Sequence, residues 1–156
     1  MLMLSMRLES TTVINSISLK NGYDPKNEEL AIEWYRKAAE QGHVNAQYAL
    51  SHELLSEMFR TKAEMEESDK WERLAAEGGQ PDAQYSVGCN LFSGPFLGNP
   101  YRSPSPADND NAEAVKLFFK SAKQGSTGAQ NALGNAYYYG TGVPQDYSLA
   151  FEWFQK

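Results

Sequence analysis

The chain has 156 residues, 14 basic against 20 acidic, a net charge of −6 and a pI near 4.9. That length suits one domain with a sizeable core, and the acidic balance without a basic cluster argues against nucleic acid or an anionic membrane as partner. The single cysteine, Cys89, excludes an internal disulfide and any multi-cysteine metal site, and no apolar run approaches the roughly 20 residues of a membrane span.

Residues 1–22 read as a tail or as a degenerate repeat helix carrying Val13, Ile14 and Ile17. Its apolar opening, Met1 to Leu8, is interrupted by Arg7 and followed by Glu9, Ser10 and Thr11, too broken for a secretory signal, so a cytoplasmic location is expected, or a periplasmic or secreted one if a leader has been removed. From residue 23 to 156 the chain repeats itself. Trp34-Tyr35-Arg36-Lys37-Ala38-Ala39-Glu40-Gln41-Gly42 is echoed by Trp71 to Gly79 and by Leu117 to Gly125, and a fourth copy begins at Ala150 and reaches Trp153-Phe154-Gln155-Lys156. Each complete copy is followed by an Ala-Gln step: Ala46-Gln47-Tyr48, Ala83-Gln84-Tyr85 and Ala129-Gln130-Asn131. The period is 36–37 residues, with one insertion of about nine in the second unit, and a period of this size signals a helical array.

Each unit reads as two helices. A first helix carries Ala46, Leu50 and Leu54, then Ala83, Val87 and Leu91, then Ala129, Leu133 and Tyr137. A second carries Ala31, Trp34 and Ala38, then Ser68, Trp71 and Ala75, then Ala114, Leu117 and Ser121, then Ala150 and Trp153. Gly42, Gly79 and Gly125 fall where a left-handed residue ends a helix. Asn45 and Asp82 are expected to cap first helices, and Asp110 and Asp146 second helices. The three tryptophans are expected in the core. Residues 94–110, with Pro95, Pro100, Pro104 and Pro106, read as an exposed loop insertion. Its two Ser-Pro steps, Ser103-Pro104 and Ser105-Pro106, fit phosphorylation by a proline-directed kinase as well as a plain solvated loop.

Ala129 to Lys156 carries Leu133-Gly134, Tyr137, Gly140, Gly142-Val143, Asp146, Ala150 and Trp153-Phe154 in one register. These residues resemble the Sel-one-like repeat family, a relative of the tetratricopeptide repeats. The resemblance implies an all-α, right-handed alpha-alpha superhelix, a solenoid of helix-turn-helix repeats with about three helix pairs plus a truncated last helix. The first unit departs from the pattern. Glu57-Met58-Phe59-Arg60 replaces the Gly-x-Gly loop, Ser51 replaces the first-helix glycine, and the lack of a breaker from Met58 to Arg73 predicts longer helices there.

By the same resemblance the first helices line a concave groove that holds a protein or an extended peptide. The groove residues expected are Tyr48, His52 and Leu55, then Tyr85, Cys89 and Phe92, then Asn131, Asn135, Tyr138 and Tyr139, with His52, Cys89 and Asn135 in equivalent positions. The tyrosines at 48 and 85 equally suit a packing role. The expected function is a non-catalytic scaffold or adaptor without cofactor or metal. The alternatives are a weak, β-lactamase-like hydrolase, as in some cysteine-rich relatives, and a structural docking module. Against the first, the paired cysteines of those relatives and any Ser-x-x-Lys are missing here, and His52 and Cys89 lack a third orienting group. Acidic pairs at Glu66-Glu67 and Asp108-Asp110 are explained by helix starts. Because the sequence stops before the Ala-Ala-x-x-Gly that closes the other second helices, the chain reads as a fragment, or as one whose C-terminal end docks to another segment or chain.

Overall fold

A computed structural model of the chain describes residues 25–55, 61–94 and 108–156. The described residues form seven helices, α1 (Pro25–Glu40), α2 (Val44–Leu54), α3 (Lys62–Glu77), α4 (Pro81–Leu91), α5 (Asp108–Lys123), α6 (Thr127–Tyr139) and α7 (Tyr147–Phe154). Helices adjacent in sequence pack on one another all along the chain, which makes an α-α solenoid. The first helices of the repeat are α2, α4 and α6; the second helices are α1, α3, α5 and α7. The expected degenerate helix within residues 1–22 and most of the proline-rich insertion lie outside the described residues.

The link from each second helix to the next first helix is fixed by its glycine. Gly42, Gly79 and Gly125 have φ of 83°, 96° and 93°. The residue after each donates its N–H back across the turn, His43 to Ala38 O, Gln80 to Ala75 O and Ser126 to Ser121 O, at 3.0–3.3 Å. The glycine itself donates to Ala39, Ala76 or Ala122. This paired closure satisfies two orphan carbonyls and needs a left-handed residue. The same following residue then caps the next helix, Gln80 accepting from Ala83 N and Ser126 from Ala129 N. A side chain reaches across as well: Gln47 Nε2 donates to Ala39 O at 3.2 Å and Gln84 Nε2 to Ala76 O at 3.1 Å. That is the work of the glutamine in the recurring Ala-Gln step.

Within a pair, the glycine of the first helix admits an aromatic ring from the second. A Cβ at Gly88 would meet the Phe118 ring, and one at Gly134 the Phe154 ring. Phe118, fully buried, is the centre of the largest core cluster, with Val115, Leu133 and Phe92 around it. A second cluster joins Ala39, Leu50, Leu54 and Trp71, so Trp71 bridges α1, α2 and α3. Trp153 repeats this role, standing edge-on to Phe119 at 5.4 Å.

Several expectations are corrected. Trp34 is 50% exposed, flanked by Lys37 at 5.1 Å, because no described helix precedes α1 to cover it. Asn45, Asp82 and Asp110 lie inside helices; the caps are His43 and Gln80, one residue before each helix, and α5 already begins at Asp108. Asp146 does cap α7, accepting from Ser148 N and Leu149 N. Helix α3 does not run on from the residues before it: Thr61 and Glu64 form a reciprocal capping box that starts it at Lys62. Glu66 and Glu67 therefore sit beyond the first turn, and Glu67 pairs with Arg36 of α1 instead of complementing a helix start.

Trp71→Ala is expected to cost about 3–5 kcal/mol, the usual range for emptying an aromatic core site. Trp34→Ala should cost about 1 kcal/mol or less. Gly79→Ala should cost about 1–2 kcal/mol through its backbone alone, since nothing lies within 4 Å of the added carbon. Urea denaturation of the three variants checks the order.

Candidate functional site

The first helices present equivalent positions along one face. In the first unit this face carries Tyr48, His52 and Leu55; the Tyr48 and His52 rings meet edge-on at 4.6 Å and His52 is exposed. Tyr48 is half-buried against the cluster of Ala75, Ala76 and Ala83. In the second unit Tyr85 lies 6.0 Å from Phe118 and over Gly128, where an added Cβ would stand 2.9 Å from its ring. Tyr85 thus ties α4 to both α5 and α6, and its hydroxyl lies in hydrogen-bonding relation to Cys89 one turn on. Phe92 does not belong to this face. It is 3% exposed and stands edge-on to Phe118 at 5.5 Å, because α4 ends at Leu91 and the extended backbone at Phe92 turns the ring inward.

The third unit is the open one. Asn131 is exposed, and Asn135 Nδ2 donates to Asn131 O at 3.1 Å. One turn further on, Tyr138 (46% exposed) meets Tyr139 at 4.9 Å and Tyr147 of α7 at 5.3 Å, both edge-on. Tyr147 is 61% exposed and was not anticipated; its only sequence signal is its place just after the Asp146 cap. The loop between α6 and α7 is held under this cluster by Gln145 Nε2, which donates to Tyr138 O at 2.8 Å. Three exposed phenols joined through Tyr138, beside two amides, form a surface of large apolar area with hydrogen-bonding edges.

Between the first two units lies a carboxylate that the pattern does not call for. Glu72 of α3 occupies the position held by Phe118 in α5 and Phe154 in α7, and it is 8% exposed. Opposite it, Ser51 stands where Gly88 and Gly134 stand in the other pairs. Burial raises the Tyr48 phenol, with Asp82 and then Glu72 adding to it; burial also raises the Cys89 thiol, against a lowering hydrogen bond with Tyr85 and with a smaller push from Glu72.

His52 and Cys89, the pair a hydrolase would use, have other partners. His52 stacks on Tyr48, and Cys89 is engaged by Tyr85 while burial raises its thiol, the reverse of what activates a nucleophile. Among the described residues no group of three or more His, Cys, Asp or Glu is arranged to hold a metal ion. A depression of about 420 Å³ on the outer side of α3, lined by Glu66, Asp69, Lys70, Arg73 and Leu74, mixes both charge signs and offers no single chemistry. No helix among the described residues is long and apolar enough to cross a membrane.

The Sel1 repeat family model matches residues 19–43, 81–126 and 127–156. Between the first two matches, residues 44–80 go unmatched, and they hold Ser51 and Glu72. The chain is similar to a protective antigen present in uropathogenic Escherichia coli strains that displays an SLR fold, with 32% identity and a TM-score of 0.68 over 88% of this chain and 27% of the antigen chain. The chain therefore spans about a quarter of that protein's length. It is also similar to a Sel1 repeat protein from Oxalobacter formigenes, with 30% identity and a TM-score of 0.61 over 78% of this chain and 84% of that one. No curated protein matches it.

Burial drives the Tyr85 phenol up to about 12, with Cys89 adding to the shift. The folded state therefore holds this proton more tightly than the unfolded chain, whose tyrosines titrate near pH 10. The associated stability is complete below about pH 10 and is lost as pH rises toward about 12. Urea midpoints should fall between pH 9 and pH 12, and Tyr85→Phe should flatten that fall. Cys89 should react with iodoacetamide more slowly at pH 8 in the folded chain than in urea.

Proposed function

The chain belongs to the Sel1 repeat family, and from that premise we propose that it is a non-catalytic scaffold that binds an extended segment of a partner protein along the face of α2, α4 and α6. Sel1 repeat proteins are generally protein-interaction scaffolds. The observation that carries the assignment to this face is the contiguous cluster of Tyr138, Tyr139 and Tyr147, each at least 40% exposed, running on from Asn131 and Asn135. Aromatic rings in mutual contact are already ordered, so they bury large area against a partner at little entropic cost. The separation of His52 from Cys89 in partners, described above, supports the non-catalytic half of the reading.

A second surface has its own observation. Helix α7 leaves Phe151 62% exposed, and Phe154 remains 48% exposed although its ring lies on Gly134 of α6; this favours docking of that helix against another helical segment.

The test is capture from host lysate with the wild-type chain, a Tyr138→Ala/Tyr147→Ala variant and a Phe151→Ser variant, each checked for helicity by circular dichroism. The expected result is a protein retained by the wild type and by Phe151→Ser and lost by the folded tyrosine variant. Retention by the tyrosine variant together with loss by Phe151→Ser moves the binding surface to the end of the stack. Retention by all three removes both.

A further inference from the structure

The turn between α6 and α7 brings one tyrosine back onto another. Helix α6 ends at Tyr139, and Gly140 and Gly142, with φ of 68° and 74°, reverse the chain. Hydrogen bonds fix the return: Asp146 N donates to Tyr137 O at 2.9 Å, Gln145 Nε2 donates to Tyr138 O at 2.8 Å, and Asp146 Oδ1 accepts from Ser148 N and Leu149 N. Helix α7 therefore begins at Tyr147, whose ring stands 5.3 Å from that of Tyr138 with 64° between their planes. Both rings stay open to solvent, Tyr138 at 46% and Tyr147 at 61%.

Other tyrosines of the stack have partners of a different kind. Tyr48 meets the ring of His52, Tyr85 that of Phe118 and Tyr137 that of Phe119. Tyr139 does meet Tyr138, at 4.9 Å. Successive residues of a helix do not face each other, however, so those two rings are held apart by their own backbone. Tyr138 and Tyr147 are under no such restraint. They come from two elements, and their phenols are the readily oxidised part of each side chain.

We propose that Tyr138 and Tyr147 are a site of oxidative coupling, at which a haem peroxidase using hydrogen peroxide joins the two rings into an intramolecular dityrosine. Each phenol gives one electron and its hydroxyl proton, and the two radicals form a carbon–carbon bond at the ring positions next to the hydroxyls. The hydrogens on those two carbons move to the oxygens and restore both phenols. The peroxide takes up the two electrons and two protons and leaves as two waters, so the chain loses two hydrogens. The product staples the end of α6 to the start of α7. Groups tethered by a short stretch of chain meet at an effective concentration of about millimolar, so in micromolar solution coupling within one chain outruns coupling between chains. The site does not depend on what the face binds.

The experiment treats the full chain, at micromolar concentration, with a haem peroxidase and hydrogen peroxide, isolates the monomer and digests it with a protease that cuts before aspartate. Cleavage before Asp146 parts Tyr138 from Tyr147 unless their rings are linked. The expected result is a monomer lighter by two hydrogens, with dityrosine fluorescence, whose peptides on either side of that cut stay joined through Tyr138 and Tyr147. Tyr138→Phe and Tyr147→Phe keep a ring without its hydroxyl, and each should abolish the joined pair. Tyr139→Phe should leave it in place. Dityrosine found only in dimers of the chain, links in the monomer that hold other tyrosines instead, undiminished joining in Tyr138→Phe or Tyr147→Phe, or no dityrosine at all would each overturn the site.

Discussion

The distance between the two helices of a pair governs the rest of this molecule. Where the first helix has glycine, the ring of the second can lie directly on its backbone, and Phe118 over Gly88 shows the result: a fully buried aromatic at the centre of the largest core cluster. With that approach fixed, the other repeated contacts fall into place. Tyr85 can reach from α4 to Gly128 at the start of α6, and Trp153 can reach Phe119 of the preceding second helix. The three-residue turns closed by Gly42, Gly79 and Gly125 then carry the same geometry from unit to unit, because each closes a helix and positions the cap of the next with the same residue. A solenoid needs no long-range contact beyond such neighbours.

Much of this was legible because it recurs. The three glycines, the Ala-Gln steps and the insertion of about nine residues are read off by aligning the chain with itself, and positive φ at Gly42, Gly79 and Gly125 follows from their place after a helix. What was not legible has physical reasons. Register places Trp34 with Trp71, yet the two differ in burial because burial depends on whether a neighbour stands there, which a repeat pattern does not record. Phe92 shares register with Tyr138, but the chain leaves its helix before Phe92 and turns the ring into the core, whereas α6 runs on through Tyr139. Caps shifted by a residue or two because Gln80 can cap with its amide, a role usually left to shorter side chains. The Thr61–Glu64 capping box was there to be read and marks the helix start that the search for breakers missed.

The candidate face divides along the same lines. Its third unit keeps the repeat contact at Gly134 and spends its variation outward, on Asn131, Asn135, Tyr138 and Tyr147. Its first unit varies inward, at Ser51 and Glu72, and leaves the outer positions to His52 and a half-buried Tyr48. The two ends of this face therefore differ in kind: the first unit presents His52 and a half-buried Tyr48, the third an exposed aromatic surface.

The inward change also bears on stability. In the second pair the ring of Phe118 contributes burial of a kind worth roughly 3–5 kcal/mol when emptied. In the first pair a carboxylate stands in that place, and other contacts hold the helices: Trp71 packs on Leu50 and Leu54 of α2 and on Ala39 of α1, and its Nε1 donates at 3.2 Å to Glu67, which in turn holds Arg36 of α1. Ser68 adds a buried bond to Ser51 O at 2.9 Å. The first pair is thus held by a tryptophan and a buried serine bond where the other two have a ring on a glycine.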